Sequence, residues 1–203
     1  MELEIPFSIL ISGSPGKGKS SLIRYIVKEY SDQFDFILLF SASSYDQEYM
    51  YLDKKYIYST IEQQVLINAC NIQVQNGNSN SLIIFDDPLS FKKDLNTDIM
   101  KKIFSTYRHL RMSIIIASQY PYVIQPQLRE CLNYTAVFDC STKRTISALF
   151  ESFFMNKFDN VQEFQKTIKE LKKYEFLFFN KKENKLVITK TENVNENEFL
   201  IKF

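Results

Sequence analysis

Short apolar runs alternate with longer segments of helical period along most of this chain. Residues 7–12, 36–41, 81–86, 113–118 and 135–140 are mostly apolar, the composition of strands buried on both faces. Between them, 19–30 carries a stripe of Leu22, Ile23, Ile26 and Val27, and 60–75 carries Ile61, Val65, Leu66, Ala69 and Ile72 with Ser59 as its expected cap. Such spacing predicts amphipathic helices. Further helices are expected over 97–110, 143–154 and 160–174. Strands separated by helices predict an α/β fold with a mainly parallel central sheet flanked by helices. Residues 175–180 and 185–191 read instead as a C-terminal β-hairpin turning at Glu183 and Asn184. The stretch 42–59 is polar, tyrosine-rich and weakly periodic, which predicts a long loop with a short strand at 56–58; long loops in small domains are often functional.

The 203 residues suit one domain, and a domain of that size buries roughly 70% of the surface of its unfolded chain. Its core is expected over about 5–158, followed by a helix and hairpin over 159–191 and a loose tail over 192–203. With 45% hydrophobic and 24% charged residues the chain is not a disordered one. Its apolar runs fall short of the about 20 residues that span a bilayer, so no membrane segment is expected. Glu2 and Glu4 replace the basic start of a signal peptide, which points to the cytoplasm. A net charge of +1 excludes a generally cationic nucleic-acid binder and leaves only local contact. Cys70, Cys131 and Cys140 lack metal-ligand spacing and read as reduced thiols. His109 is the only histidine, so no catalytic triad or histidine zinc site can be assembled; alone it reads as structural.

The chemistry concentrates in GSPGKGKS, residues 13–20, between the first strand and the first helix. Three of the four glycines of the chain, Gly13, Gly16 and Gly18, lie in this octet. Backbone N–H groups closing on phosphate oxygens need that freedom from Cβ atoms, so the octet reads as a Walker A loop. Gly13, Ser14, Pro15, Gly16, Lys17, Gly18, Lys19, Ser20 and Ser21 are the expected nucleotide-binding residues. Lys19 would bridge the β- and γ-phosphates of ATP, and Ser20 would bind Mg²⁺. The run Leu82, Ile83, Ile84, Phe85 ends in Asp86 and Asp87, the form of a Walker B strand. Asp86 would hold Mg²⁺ through water, and Asp87 is placed to orient or deprotonate the attacking water. The competing reading is a strand end capped by surface acids.

The next apolar strand ends in Ser118 and Gln119. That order resembles the additional-strand, RecA-like group of P-loop NTPases, in which a polar residue beside Walker B senses the γ-phosphate; Gln119 takes that place. An arginine supplied by a neighbouring subunit is a recurrent part of ring ATPases. Of the five arginines, Arg129 and Arg108 are the candidates, against the plainer reading of surface ion pairs. Tyr45, Tyr49, Tyr51, Lys54, Lys55, Tyr56 and Tyr58 interleave aromatic rings with positive charge. They suit nucleic-acid stacking or, equally, burial of the tyrosines. Lys166, Lys169, Lys172 and Lys173 read as a solvated helix face.

Taken together, GSPGKGKS, LIIFDDP, YRHLRMSIIIASQY and PQLREC resemble the genome-packaging ATPases of the FtsK/HerA superfamily, poxvirus-type branch, over roughly residues 9–154. In that family an arginine-histidine pair precedes the strand ending in Ser-Gln, and an arginine follows soon after. These fall on Arg108, His109, Gln119 and Arg129, which raises His109 above a structural histidine. The resemblance implies Mg²⁺-dependent ATP hydrolysis, a ring of five or six subunits and translocation of double-stranded DNA into a viral capsid, with capsid or portal-vertex proteins as partners. Asp87 departs from the Glu often found in cellular relatives, and no membrane anchor or DNA-reading domain is recognised, which implies a minimal motor. The alternatives are a nucleotide or small-molecule kinase, for which no arginine-rich lid is seen, and a nucleotide-dependent assembly or partitioning switch.

Overall fold

The apolar run behind the glycine octet is buried at every position and forms β1 (Ser8–Ser12). The other apolar runs behave alike, giving β2 (Phe36–Ser41), β4 (Ser81–Asp86), β5 (Met112–Ser118) and β6 (Tyr134–Val137). A two-residue strand, β3 (Ile57–Tyr58), and the hairpin β7 (Glu175–Asn180) and β8 (Lys185–Lys190) complete the set. The protein is described by a computed structural model over residues 1–42, 49–77, 79–87, 94–191 and 201. The strands form one sheet in the order β3-β2-β4-β5-β1-β6-β7-β8. Pairing is parallel from β3 through to β6 and antiparallel at β6–β7 and β7–β8.

Successive side chains of a strand point to opposite faces, and both faces are covered by helices α1 (Lys19–Tyr30), α2 (Gln63–Gln75), α3 (Asp98–Thr106), α4 (Pro126–Glu130), α5 (Lys143–Leu149) and α6 (Val161–Lys169). On one face Ile9, Ile11, Leu39, Ile84 and Ile115 meet Leu22, Ile23, Ile26 and Val27 of α1. On the other, Leu10, Phe40, Phe85, Ile114 and Ile116 meet Leu66 of α2, Ile103 of α3, Leu128 of α4, Leu149 of α5 and Phe164 of α6. Each such side chain contributes about 1.5–3 kcal/mol on burial. α1 shares this face with Leu3, Phe34 and the segment 49–52, and it follows directly on the glycine loop.

Several boundaries differ from the sequence pattern. The helix expected over 60–75 starts at Gln63 with Glu62 as N-cap, so Ser59 does not cap it. Its buried face is Leu66, Ala69, Cys70 and Gln73, while Ile72 is 41% exposed. The cause is the sheet edge. Only two residues of β2 are paired by β3, so α2 overhangs an open groove lined by Phe36, Leu38, Val65 and Ile72. α3 stops at Thr106 because the chain turns through Arg111, at φ +52°, with Met112 N–H donating to Tyr107 O at 2.9 Å. β6 ends at Val137 instead of Cys140, because the next residues leave the sheet to meet the glycine loop: Ser14 N–H donates to Asp139 O at 2.9 Å.

The C-terminal elements follow local chemistry. Pro126 starts α4, a helix too short to show a period in the sequence. α5 passes into a π-helical turn, Phe150–Phe154, whose Phe154 ring stacks on Phe164 at 4.8 Å. α6 is capped at Asn160, whose side chain accepts from Glu163 N–H at 2.9 Å, and it ends at Lys169, short of the expected 174. Apart from Ile201, the tail over 192–203 lies outside the described residues. Among the described residues no helix is long and apolar enough to cross a membrane.

Candidate active site

β1 and α1 present the glycine octet at the C-terminal edge of the sheet. Gly18 is the N-cap of α1 at φ +115°, and no acidic residue stands in the first turn to offset the positive end of the helix dipole. The loop fits closely around its neighbours. A Cβ on Gly13 would lie 2.7 Å from Phe138 Cβ, and one on Gly18 would lie 3.0 Å from the Tyr174 ring and 3.1 Å from that of Phe138. Lys19 Nζ donates to the carbonyls of Gly13 at 3.0 Å and Ser14 at 3.3 Å. From beyond β6, Ser141 N–H donates to Ser14 Oγ at 2.9 Å. Asp139 takes Lys17 at 2.9 Å and Lys169 at 2.7 Å. Burial alone would raise the Asp139 carboxyl; hydrogen bonds from Lys169 and Lys17 outweigh it and hold it below the usual carboxylate value. Lys169 is therefore tied to the loop and is not simply part of a solvated face.

β5 lies between β1 and β4. Register places Ser12 beside Ser118 and Ala117 beside Asp86, so the ends of β1, β4 and β5 bring the octet, Asp86, Asp87 and Gln119 to one edge. Asp86 is buried at 7% exposure. Asp87 turns out of the strand at φ +46°, its N–H donating to Ala117 O at 2.9 Å. Its Oδ1 is buried with no hydrogen-bond partner among the described residues. A buried carboxylate oxygen left in that state is costly unless water or a ligand reaches it. Gln119 shares a small cleft with Ser14, Pro15 and Thr142, and its carbonyl accepts from Thr145 Oγ1 at 3.3 Å. The Ser20 hydroxyl and the Asp86 carboxylate are hard oxygen donors of the kind Mg²⁺ takes, usually with waters and substrate phosphates completing the shell. The residues present fit that ion.

Of the arginine candidates, Arg108 lies elsewhere. Arg108 Nε donates to Tyr107 Oη at 3.0 Å, Tyr107 bonds Asn133, and Asn133 N–H donates to Ser8 O at 3.0 Å. Ser8 opens β1, so Arg108 and the exposed His109 lie at the end of the sheet opposite the glycine loop. They border a cavity of about 510 Å³ with Glu130 and Lys181. Arg129, on α4, has Glu130 and Glu151 as its charged neighbours. Burial lowers its guanidinium pKa, and its Nε has no hydrogen-bond partner among the described residues. Nor does any hydrogen bond or ion pair among those residues join Arg108 or Arg129 to the glycine loop of the same chain.

The tyrosine-rich stretch divides. Tyr49 and Tyr51 are buried at 1% exposure, Tyr56 and Tyr58 are half-buried, Lys54 and Lys55 are exposed, and Tyr45 lies outside the described residues. The buried pair excludes base stacking on Tyr49 and Tyr51. Tyr49 Oη donates to Asp86 Oδ2, a site contact that the sequence pattern does not reveal. One signal bears on it: in a parallel sheet Ser41 pairs with Asp86, so the chain leaving β2 starts beside that carboxylate. Burial pushes the Cys140 thiol up to about 12, which leaves it unreactive, as expected of a structural cysteine.

A mainly parallel sheet with the additional strand β5, a glycine loop at the start of α1 and two acids at the end of β4 define a P-loop ATPase. The family to which the chain belongs is that of the poxvirus A32 protein, which matches residues 2–201 and so extends well past the blocks at 9–154. No curated protein matches the chain. Among solved structures, the genome-packaging NTPase B204 of Sulfolobus turreted icosahedral virus 2, in complex with AMP, is similar at a TM-score of 0.73 and 16% identity, covering 94% of this chain and 100% of that one. The same protein with AMPPCP matches at 0.72 and 15%, with the same coverage. The conjugation coupling protein TcpA of pCW3, with ATPγS, matches at 0.69 and 14%, covering 97% of this chain and 63% of that one. At these identities the likeness is one of fold.

Proposed function

We propose that this protein is a Mg²⁺-dependent ATPase motor that couples ATP hydrolysis to translocation of double-stranded DNA into a viral capsid. The observation that supports this reading is the convergence of the glycine loop, Asp86, Asp87 and Gln119 on one sheet edge across β1, β5 and β4. B204, described as a genome-packaging NTPase and solved with AMP and AMPPCP, supports it by likeness of fold.

In this reading the backbone of residues 13–18 cradles the β-phosphate and Lys19 spans the β- and γ-phosphates. Ser20 and Asp86 hold Mg²⁺, which when bound neutralises charge on the phosphates. Asp87, whose buried Oδ1 awaits a partner, orients or deprotonates the attacking water. Gln119 senses the γ-phosphate. Arg129 and Arg108 serve a neighbouring subunit in a ring of five or six, since among the described residues neither bonds the loop of its own chain. Capsid or portal-vertex proteins would dock the ring in the host cytoplasm or viral factory.

The test is ATP hydrolysis with and without double-stranded DNA. Stimulation by DNA that disappears in Lys19→Ala and Asp87→Asn is expected. Phosphate transfer to a nucleoside phosphate, or tight ATP binding without turnover, would overturn the motor in favour of a kinase or a switch.

A further inference from the structure

We infer that Tyr49 is a positioning residue for the metal carboxylate Asp86, and that the segment 49–52 holds the two metal-binding elements in register. The inference rests on the reading of Asp86 as a Mg²⁺ ligand. Tyr49 is 1% exposed and Asp86 7%, and the phenol donates to Oδ2 of the carboxylate. A buried carboxylate needs such a donor, and the charge-assisted bond engages one oxygen and fixes the plane of the group.

The tyrosine is itself held from several sides. Leu52 N–H donates to Tyr49 O at 3.0 Å, and the Tyr49 and Tyr51 rings pack at 6.0 Å. Ile201, from the C-terminal segment, bridges Leu52 and donates its N–H to Tyr51 O at 2.8 Å. The Arg24 guanidinium lies over the Tyr51 ring, 6.0 Å from its centroid. Arg24 belongs to α1, the helix that carries Ser20. The segment therefore touches α1 through Tyr51 and the end of β4 through Tyr49, the two elements that supply the oxygen donors for the ion. Groups that orient metal ligands in this way typically change metal affinity about 10–100-fold when removed.

The test uses the full chain and Mn²⁺ as the probe. Mn²⁺ binding in the presence of ADP is followed by electron paramagnetic resonance, and binding of a fluorescent ADP analogue is measured in EDTA. In Tyr49→Phe the half-saturating Mn²⁺ concentration should rise about tenfold or more, while metal-free nucleotide affinity stays at the wild-type value. Tyr134→Phe removes another buried tyrosine hydroxyl, one that accepts from Glu4 N–H at the far end of the sheet, and should leave the metal dependence unchanged. Ile201→Gly keeps both side chains of the pair and loosens only their support; a smaller shift in the same direction is expected. An unchanged or tighter Mn²⁺ affinity in Tyr49→Phe overturns the inference. Asp86→Asn separates the two failures: if it weakens Mn²⁺ binding and Tyr49→Phe does not, the ligand reading stands and the positioning role falls. If Asp86→Asn has no effect either, both fall.

Discussion

Lys19 Nζ lies 3.0 Å from the Gly13 carbonyl oxygen, folded onto the loop that it follows in sequence. Two neutral carbonyls are weaker partners for an ammonium group than phosphate oxygens, so the lysine is poised to exchange one for the other. Lys19→Ala should therefore weaken binding of ATP analogues by about 10- to 100-fold, the loss of a hydrogen bond to a charged group. AMP, which lacks the β- and γ-phosphates, should bind nearly as before. Calorimetric titration of both nucleotides checks the difference, and an equal loss for AMP would count against a β/γ role.

Gly18→Ala forces a side chain onto a residue at φ +115° and against the Tyr174 and Phe138 rings. The backbone strain alone is on the order of 1–3 kcal/mol. Gly13→Ala meets Phe138 Cβ at 2.7 Å with no flexible atom to yield, an overpacking cost of about 1–3 kcal/mol. Both variants should unfold at lower denaturant midpoints. Gly77→Ala, with nothing within 4 Å of the added Cβ, should unfold close to wild type.

The Asp139 carboxyl is held below its ordinary pKa, net of burial, by Lys169 and Lys17. A folded-state value below the unfolded one means that the stabilisation is present above the unfolded value and is lost as the pH falls through the folded value. Asp139→Asn should thus be less stable than wild type at pH 7, by up to about 1 kcal/mol for a largely solvent-facing pair of bridges. The difference should vanish well below the ordinary value of 3.8. Thermal melts of both proteins across that range provide the measurement. A gap that persists in acid would assign the effect to packing instead.

Arg129→Ala and Arg108→Ala decide which arginine acts across subunits. An arginine finger is worth about 10³ to 10⁵ in rate, so the responsible variant should be nearly inactive alone. Mixed with Lys19→Ala subunits it should regain hydrolysis, because the Arg129→Ala or Arg108→Ala subunit keeps an intact loop and its neighbour supplies the arginine. Rescue of one variant and not the other identifies the residue; rescue of neither removes the trans role from both.

Local chemistry alone determined much of this protein. Buried strands announce themselves as apolar runs, and a phosphate loop needs glycines and a lysine in fixed order, so β1, β2, β4, β5, α1, the octet and the two acids were all legible along the chain. The sequence blocks also carried the family. Tertiary structure alone decided which edges meet. Insertion of β5 between β1 and β4 is set by packing among strands far apart in sequence, and it brings Gln119 to the loop while leaving Arg108 at the other end. The ends of α3 and β6 follow from long-range hydrogen bonds and a positive-φ turn, which no local period encodes. Tyr49 is the clearest case. Its polar, aperiodic surroundings read equally as a nucleic-acid surface or as buried aromatics, and only the parallel register of β2 with β4 and the support of Ile201 bring its hydroxyl to Asp86.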